Sequence, residues 1–206
     1  MMFENRSQAG KLLSKKLGSY KKQEAVVLGL PRGGVVVAAE IAKALHLPLD
    51  IVVTRKVGAP ENPELAIGAI TEDGNGFFDQ AFIESYQVDP DFLQQEIEKE
   101  KEEAHRRQLL YRAGRPSLNL KNKIVILVDD GVATGFTLKA AIASIRIKKP
   151  KKIVVAVPVG PKETICEIKQ EADDLVVLEN PEIFRAVGEF YQNFDQVSDD
   201  EVMALL

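Results

Sequence analysis

The sequence has 206 residues, of which 45% are hydrophobic and 28% charged, and its formal net charge is −4. This composition is typical of a soluble globular protein with room for one well-buried domain and a small appendage. The acidic balance argues against nucleic acid as the main partner. The single cysteine, Cys166, excludes an internal disulfide and a cysteine-based zinc cluster. No apolar run is long enough to span a membrane, and the first residues lack a signal-peptide core, so we expect no membrane partner and a cytoplasmic location.

The first part of the sequence predicts a helix followed by a strand–turn–helix unit. Apolar residues at helical spacing from Phe3 to Leu17 indicate a helix that packs on the core. Ala25 to Leu30 predicts a buried strand, and Val35 to Leu45 predicts the helix that follows it. The turn between them contains Arg32, whose guanidinium at the end of a strand suits an anion. A plain connecting turn is the alternative.

The next segment predicts a basic lid carried by a hairpin. Leu49 to Thr54 predicts a strand that ends at Arg55 and Lys56, and the Gly- and Pro-rich stretch that follows predicts a mobile loop. The alternative is a solvated basic pair. Gly74-Asn75-Gly76 between two apolar segments indicates a hairpin. Asp89 and Pro90 then begin a long, highly charged helix.

The central unit carries the strongest chemical signal. Ile124 to Val128 predicts a strand buried on both faces, which ends at Asp129 and Asp130. Small residues and threonines, Gly131 to Thr137, lead into an amphipathic helix whose unpaired N–H groups suit a phosphate. The two carboxylates suit a vicinal diol or a cation. A P-loop nucleotide hydrolase would also place carboxylates after a strand, but its phosphate motif has no match in this sequence.

The remaining chain predicts two more strands and an aromatic tail. The strands are Lys152 to Val157, followed by a turn from Pro158 to Pro161, and Asp174 to Leu178. A short helix is predicted from Glu182 to Val187, and a capping box at Ser198 begins a final helix. The aromatic residues between these helices either stack on a flat acceptor or pack the tail onto the domain. Alternation of strands and helices predicts the α/β class, with a mainly parallel central sheet flanked by helices and a small hairpin/helix hood.

The segment VILVDDGVATGFT, Val125 to Thr137, resembles the signature of the type I phosphoribosyltransferases. The resemblance covers most of the chain. It extends to a subgroup of phosphoribosyltransferases whose acceptor substrate is unassigned. It implies an Mg²⁺-dependent enzyme that transfers 5-phosphoribosyl from phosphoribosyl pyrophosphate (PRPP) to a nitrogen acceptor such as a nucleobase and releases pyrophosphate. It also implies one domain over residues 1–206, with a lid at about 55–80 and a tail at about 180–206 as a hood, and it is compatible with a homodimer.

The resemblance assigns roles to individual residues. The catalytic group is Asp129, Asp130, Arg55 and Lys56, with Glu64 beside the lid. The 5′-phosphate group is Gly131, Val132, Ala133, Thr134, Gly135, Phe136 and Thr137, and the pyrophosphate group, on a turn that often has a strained peptide bond, is Arg32, Gly33 and Gly34. Acceptor contacts would come from Pro158, Val159, Phe184 and Tyr191. Mg²⁺ would be held through PRPP oxygens and water, with Asp129 and Asp130 as candidate direct ligands. The alternatives are a regulatory protein of the same fold that senses PRPP or a nucleotide without turnover, and a hydrolase of nucleotide-like substrates.

Overall fold

The segment Ile124–Val128 lies at the centre of a five-stranded parallel sheet. The structure, a computed structural model, describes residues 2–63 and 65–206; Glu64, which the sequence places beside the lid, lies outside them. The strands are β1 (Ala25–Gly29), β2 (Leu49–Ile51), β3 (Thr54–Gly58), β4 (Ala66–Thr71), β5 (Gly76–Phe78), β6 (Ile124–Val128), β7 (Lys152–Val159) and β8 (Asp174–Glu179). The parallel sheet has the strand order β2-β1-β6-β7-β8. The helices are α1 (Arg6–Lys16), α2 (Gly33–Leu45), α3 (Gln80–Ser85), α4 (Pro90–Arg112), α5 (Phe136–Ile147), α6 (Lys162–Glu171) and α7 (Asp199–Leu205).

The central sheet is covered by helices on both faces. Successive residues of a strand point to opposite faces, and β6 divides its side chains accordingly between two apolar clusters. Val125 and Leu127 pack with residues of α5 and α6. Ile124, Ile126 and Val128 pack with residues of α1 and α2. All five residues of β6 are buried, as predicted for the centre of a parallel sheet.

A second, antiparallel sheet of β3, β4 and β5 packs against α4 and α5. The predicted hairpin is confirmed, with Gly74 at φ 81° in its turn. The single strand predicted from Leu49 to Thr54 is wrong, because β2 ends at Ile51 and β3 begins at Thr54. The apolar, β-branched run continues through the buried Val52 and Val53, so the sequence carries no break where the chain passes between sheets. Arg55 and Lys56 consequently lie within β3 of the second sheet rather than at the end of a strand of the first.

The tail also differs from the prediction. The helix expected from Glu182 to Val187 does not form, and a 3₁₀ turn spans Val187–Phe190 instead. The aromatic side chains around this turn pack in a cluster with Phe3 and Val159, and this packing outweighs the weak helical signal. The capping box is confirmed, since the Ser198 hydroxyl accepts from the Glu201 N–H and begins α7. Within the described part of the chain, no helix is long and apolar enough to cross a membrane.

Candidate functional site

Two strand–helix units meet at the centre of the sheet. Strands β1 and β6 are parallel neighbours whose last residues, Gly29 and Val128, are paired. From β1 the chain passes through α2 to β2 on one side, and from β6 it passes through α5 to β7 on the other. Such a point, where the strand order reverses, opens a crevice at the carboxyl ends of the strands, and ligands bind there in open α/β sheets. The arginine turn, Pro31 to Gly34, follows β1, and the acidic pair and the predicted phosphate loop follow β6.

The phosphate loop, Gly131 to Thr137, ends in an open helix N-terminus. Gly135 is the N-cap of α5 with φ 79°, and no side chain caps this helix. In the described part of the chain, the main-chain N–H groups from 133 to 137 donate no hydrogen bond. The loop is held from behind, because the Val132 N–H donates to the Val159 carbonyl at 2.9 Å and the Thr164 hydroxyl donates to the Ala133 carbonyl at 2.8 Å. N–H groups without an acceptor and the positive end of a helix dipole make this loop suited to an anion.

The acidic pair, Asp129 and Asp130, lies between β6 and the phosphate loop and is partly exposed. The Asp130 N–H donates to Asp129 Oδ1 at 2.8 Å. Burial and the neighbouring Asp130 carboxylate raise the pKa of Asp129 well above its usual value. Burial also raises the pKa of Asp130, although its bond from Arg6 opposes the shift. Two adjacent carboxyl groups, of which Asp130 is paired with Arg6, are suited to accept hydrogen bonds from hydroxyls or to hold a cation.

Two residues that support Asp130 come from segments far from it in sequence. Arg6 Nε, at the start of α1, donates to Asp130 Oδ2 at 2.6 Å. The Tyr191 hydroxyl donates to the Asp130 carbonyl at 2.6 Å. The stretch from Arg6 to Gly10 resembles the N-terminal pattern of the phosphoribosyltransferases, but it suggests no mechanism, and the sequence predicts that Arg6 belongs to a core-packing helix. A lone arginine on an amphipathic helix carries no signal of a partner that lies 124 residues away.

The arginine turn packs directly against the acidic pair. Its Pro31–Arg32 peptide bond is cis. A Cβ atom on Gly33 would lie 1.9 Å from Asp130 Oδ2, and one on Gly34 would lie 2.8 Å from Asp129 Oδ1. These two positions require glycine, because real Cβ atoms essentially never approach other atoms within 3.0 Å. The turn also begins α2, whose N-terminus has no side-chain cap, so a second open N-terminus faces the crevice.

The guanidinium of Arg32 is held beside the turn by the tail. Its Nη1 lies 3.7 Å from Asp199 Oδ1, and both side chains are more than a third exposed. The Tyr111 hydroxyl donates to the same Asp199 oxygen at 2.6 Å. Exposed ion pairs of this length contribute little stability, so Arg32 is available to an anion at the turn.

The basic pair of β3 lies apart from this constellation. Arg55 Nε donates to Glu100 Oε2 of α4 at 2.7 Å. Arg55 and Lys56 line a cavity of about 540 Å³ whose other walls come from the loop after β3 and from α4. In the described structure, the acidic pair and the phosphate loop do not line this cavity. The small sheet nevertheless approaches the phosphate loop, since the rings of Phe77 and Phe136 are 6.0 Å apart.

The residues assigned to the acceptor lie in the packing between the sheet and the tail. Pro158 and Val159 are buried at the end of β7 rather than in a turn, which corrects their predicted placement. Phe184 stacks on Phe190 at 5.5 Å. Tyr191 is only 5% exposed, and its ring stacks on Phe194 at 4.9 Å. Acceptor binding by these residues stays a prediction.

A bound Mg²⁺ is compatible with the donor set. Among the described residues there is no group of three or more His, Cys, Asp or Glu side chains that would form a protein cage for a metal. Mg²⁺ prefers oxygen ligands, keeps several waters and commonly binds through one or two carboxylates together with substrate phosphates. Asp129 and Asp130 supply such carboxylates, and a bound cation would oppose the effect of burial that raises their pKa values.

A parallel sheet with an acidic pair and an anion loop at its switch point defines the type I phosphoribosyltransferase class. The family model described as "Phosphoribosyl transferase domain" matches residues 4–195, and the chain belongs to this family. Two strains of Mycobacterium tuberculosis have proteins named "Putative phosphoribosyl transferase" that are 43% identical over 205 residues. The match covers 100% of this chain and 46% of those proteins, so the chain spans about half the length of these relatives.

Solved structures support the same fold. The crystal structure of TT1426 from Thermus thermophilus has a TM-score of 0.84 and 41% identity, and the match covers 100% of this chain and 97% of that one. A purine phosphoribosyltransferase from Pyrococcus horikoshii has a TM-score of 0.52 and 18% identity, with 94% and 92% of the two chains covered. At that identity the second likeness shows the fold alone. The predicted fold class and family are thus confirmed.

Proposed function

We propose that the protein transfers the 5-phosphoribosyl group of PRPP to a nitrogen acceptor and releases pyrophosphate. The observation that carries this proposal is the position of the acidic pair between two open helix N-termini at the ends of adjacent strands. A ligand that matches this arrangement has an anionic group at each end and hydroxyls between them. PRPP has this pattern of groups, with a 5′-phosphate, a ribose diol and a pyrophosphate.

Each part of PRPP has a matching part of the site. The N–H groups of the phosphate loop would bind the 5′-phosphate. Asp129 and Asp130 would accept hydrogen bonds from the ribose 2′- and 3′-hydroxyls. The arginine turn and the N-terminus of α2 would bind pyrophosphate, with Arg32 as the cation. The contact between the glycines of this turn and the acidic pair supports a single ligand that touches both.

The chemistry requires positioning and charge stabilisation. The bond between ribose C1 and the pyrophosphate oxygen breaks, a bond from the acceptor nitrogen to C1 forms, and the nitrogen loses its proton to solvent. Carboxylates at the diol would stabilise positive charge that develops on the ribose, while the helix N-terminus and Arg32 would stabilise negative charge on the leaving group. Mg²⁺, when bound, would neutralise pyrophosphate oxygens. Arg55 and Lys56 would reach the leaving group only if the small sheet or its loop moves, since Arg55 is paired with Glu100.

The test combines binding and turnover. Calorimetric titration of the wild type with PRPP and Mg²⁺ should show binding, and Asp130→Asn should weaken it. Pyrophosphate release with a panel of nucleobases and simple amines should then identify the acceptor class. Lys56→Ala is expected to lower the release rate more than the affinity, because a lid residue acts on the leaving group.

Two outcomes would count against the proposal. A wild type that does not bind PRPP in the presence of Mg²⁺ would refute it. Binding without turnover on any acceptor, with Lys56→Ala leaving binding unchanged, would instead favour a protein of this fold that senses PRPP or a nucleotide.

A further inference from the structure

Arg6 makes three contacts that fix its guanidinium beside the acidic pair. Nε donates to Asp130 Oδ2 at 2.6 Å, and Nη1 donates to the Asp195 carbonyl at 2.8 Å. Cζ lies 3.8 Å above the centre of the Phe194 ring. The Arg6 and Asp130 side chains are only 12% and 16% exposed. A planar guanidinium satisfies all three contacts at once, whereas a lysine ammonium does not.

The ion pair also lies against the arginine turn. A Cβ atom on Gly33 would lie 2.7 Å from Arg6 Nε as well as 1.9 Å from Asp130 Oδ2. The same aspartate is anchored through its main chain, because the Tyr191 hydroxyl donates to the Asp130 carbonyl. Arg6 is therefore the point at which α1, the tail, the acidic pair and the arginine turn meet.

We infer that Arg6 is a positioning residue for PRPP, which orients the Asp130 carboxylate towards the ribose diol and sets its distance from the arginine turn. This inference rests on the proposed function. By engaging Oδ2, Arg6 leaves Oδ1 of Asp130 as the acceptor for a ribose hydroxyl. In this role, the tail residues Phe194 and Asp195 hold Arg6 in the orientation that the carboxylate needs.

The competing explanation is that Arg6 only stabilises the fold. A second ion pair of the chain, with similar burial, serves as a control that distinguishes this explanation from the positioning role. Arg112 Nε donates to Asp50 Oδ1 at 3.1 Å, and these side chains are 13% and 10% exposed. Arg112 also donates to the Ile51 carbonyl at 3.1 Å. The pair has similar burial and a similar main-chain contact, but it lies at β2 and the end of α4, outside the proposed PRPP site.

The experiment compares Arg6→Ala, Arg6→Lys and Arg112→Ala with the wild type. Calorimetry measures PRPP affinity with Mg²⁺ present, and thermal unfolding measures stability in the absence of PRPP. Arg6→Ala should lower the affinity on the order of ten- to hundredfold, as expected for the loss of a charged hydrogen bond that positions a ligand group. Arg6→Lys should recover only part of this loss, because the ammonium reaches Asp130 but cannot keep the contacts with Phe194 and Asp195. Arg112→Ala should lower the melting temperature and leave the affinity within about twofold.

The outcomes separate this inference from the proposed function. Wild-type protein without PRPP affinity would refute the proposed function itself. Wild-type affinity in Arg6→Ala, full recovery in Arg6→Lys, or an equal loss in Arg112→Ala would refute the positioning role and leave the proposed function in place. If Arg6→Ala does not fold, the comparison of Arg6→Lys with the wild type decides the question by the same criterion.

Discussion

Gly33→Ala places one methyl group at the contact between the arginine turn and the acidic pair. The new Cβ would lie 1.9 Å from Asp130 Oδ2 and 2.7 Å from Arg6 Nε. The carboxylate cannot rotate away at low cost, because Arg6 holds it at 2.6 Å and its main chain is fixed by Tyr191. Asp130 therefore has to move by about 1 Å, and a misplacement of this size costs about 10²-fold in reaction rate. We expect a loss of the same order in PRPP affinity.

The assay is calorimetric titration of Gly33→Ala with PRPP and Mg²⁺, together with thermal unfolding of the free protein. Gly18→Ala is the control, because a Cβ atom on Gly18 would meet no atom within 4 Å. We expect Gly18→Ala to bind PRPP normally and to gain up to about 1 kcal/mol of stability from reduced freedom of the unfolded chain. Unchanged PRPP affinity in Gly33→Ala would refute the close packing of the turn against the acidic pair.

Three further predictions test separate parts of the structure. Thr164→Val removes the hydroxyl that supports the Ala133 carbonyl and should cost about 1 kcal/mol of stability while weakening binding of the 5′-phosphate, measured by PRPP titration. Tyr191→Phe removes the hydrogen bond to the Asp130 carbonyl and should lower PRPP affinity about tenfold or less in the same titration. Glu72 is 7% exposed, and burial raises its pKa. Its ionised form therefore destabilises the folded state, and Glu72→Gln should raise the free energy of unfolding at pH 7 by on the order of 1 kcal/mol.

The Glu72 prediction has a definite pH dependence. The penalty on the wild type is present above the raised pKa and is lost as the pH falls towards 4.5, the usual pKa of a glutamate. The difference between Glu72→Gln and the wild type in denaturant unfolding should shrink over that interval. A constant difference across the interval would contradict the raised pKa of Glu72.

For Thr164→Val and Tyr191→Phe, PRPP affinity equal to that of the wild type would show that the phosphate loop and Asp130 do not need these two hydrogen bonds.

The local elements of the site could be predicted because their signals are short in sequence. The buried strand Ile124–Val128, the acidic pair after it and the glycine-rich start of α5 are close together in the chain and follow the rules of a strand–turn–helix unit. The long helix is confirmed as well, since Asp89 caps it through the Asp91 N–H at 2.8 Å.

The contacts that Arg6 and Tyr191 make beside Asp130 could not be predicted, because each contact joins residues that are far apart in sequence. Arg6 and Asp195 are 189 residues apart, and neither residue type indicates a partner at that distance. The position at which β2 ends and β3 begins could not be predicted for a different reason. Apolar residues continue through Val52 and Val53 whether the chain stays in one sheet or passes to another, so hydrophobic pattern does not locate the transition.

The bridge between Phe3 and Tyr191 draws two distant segments together beside Asp130. During synthesis, the central strand and the acidic pair are made well before residue 191. A growing chain therefore contains Asp130 without its hydrogen bond from Tyr191. The site proposed to bind PRPP is therefore complete only after Tyr191 leaves the ribosome and packs against residues that were synthesised much earlier.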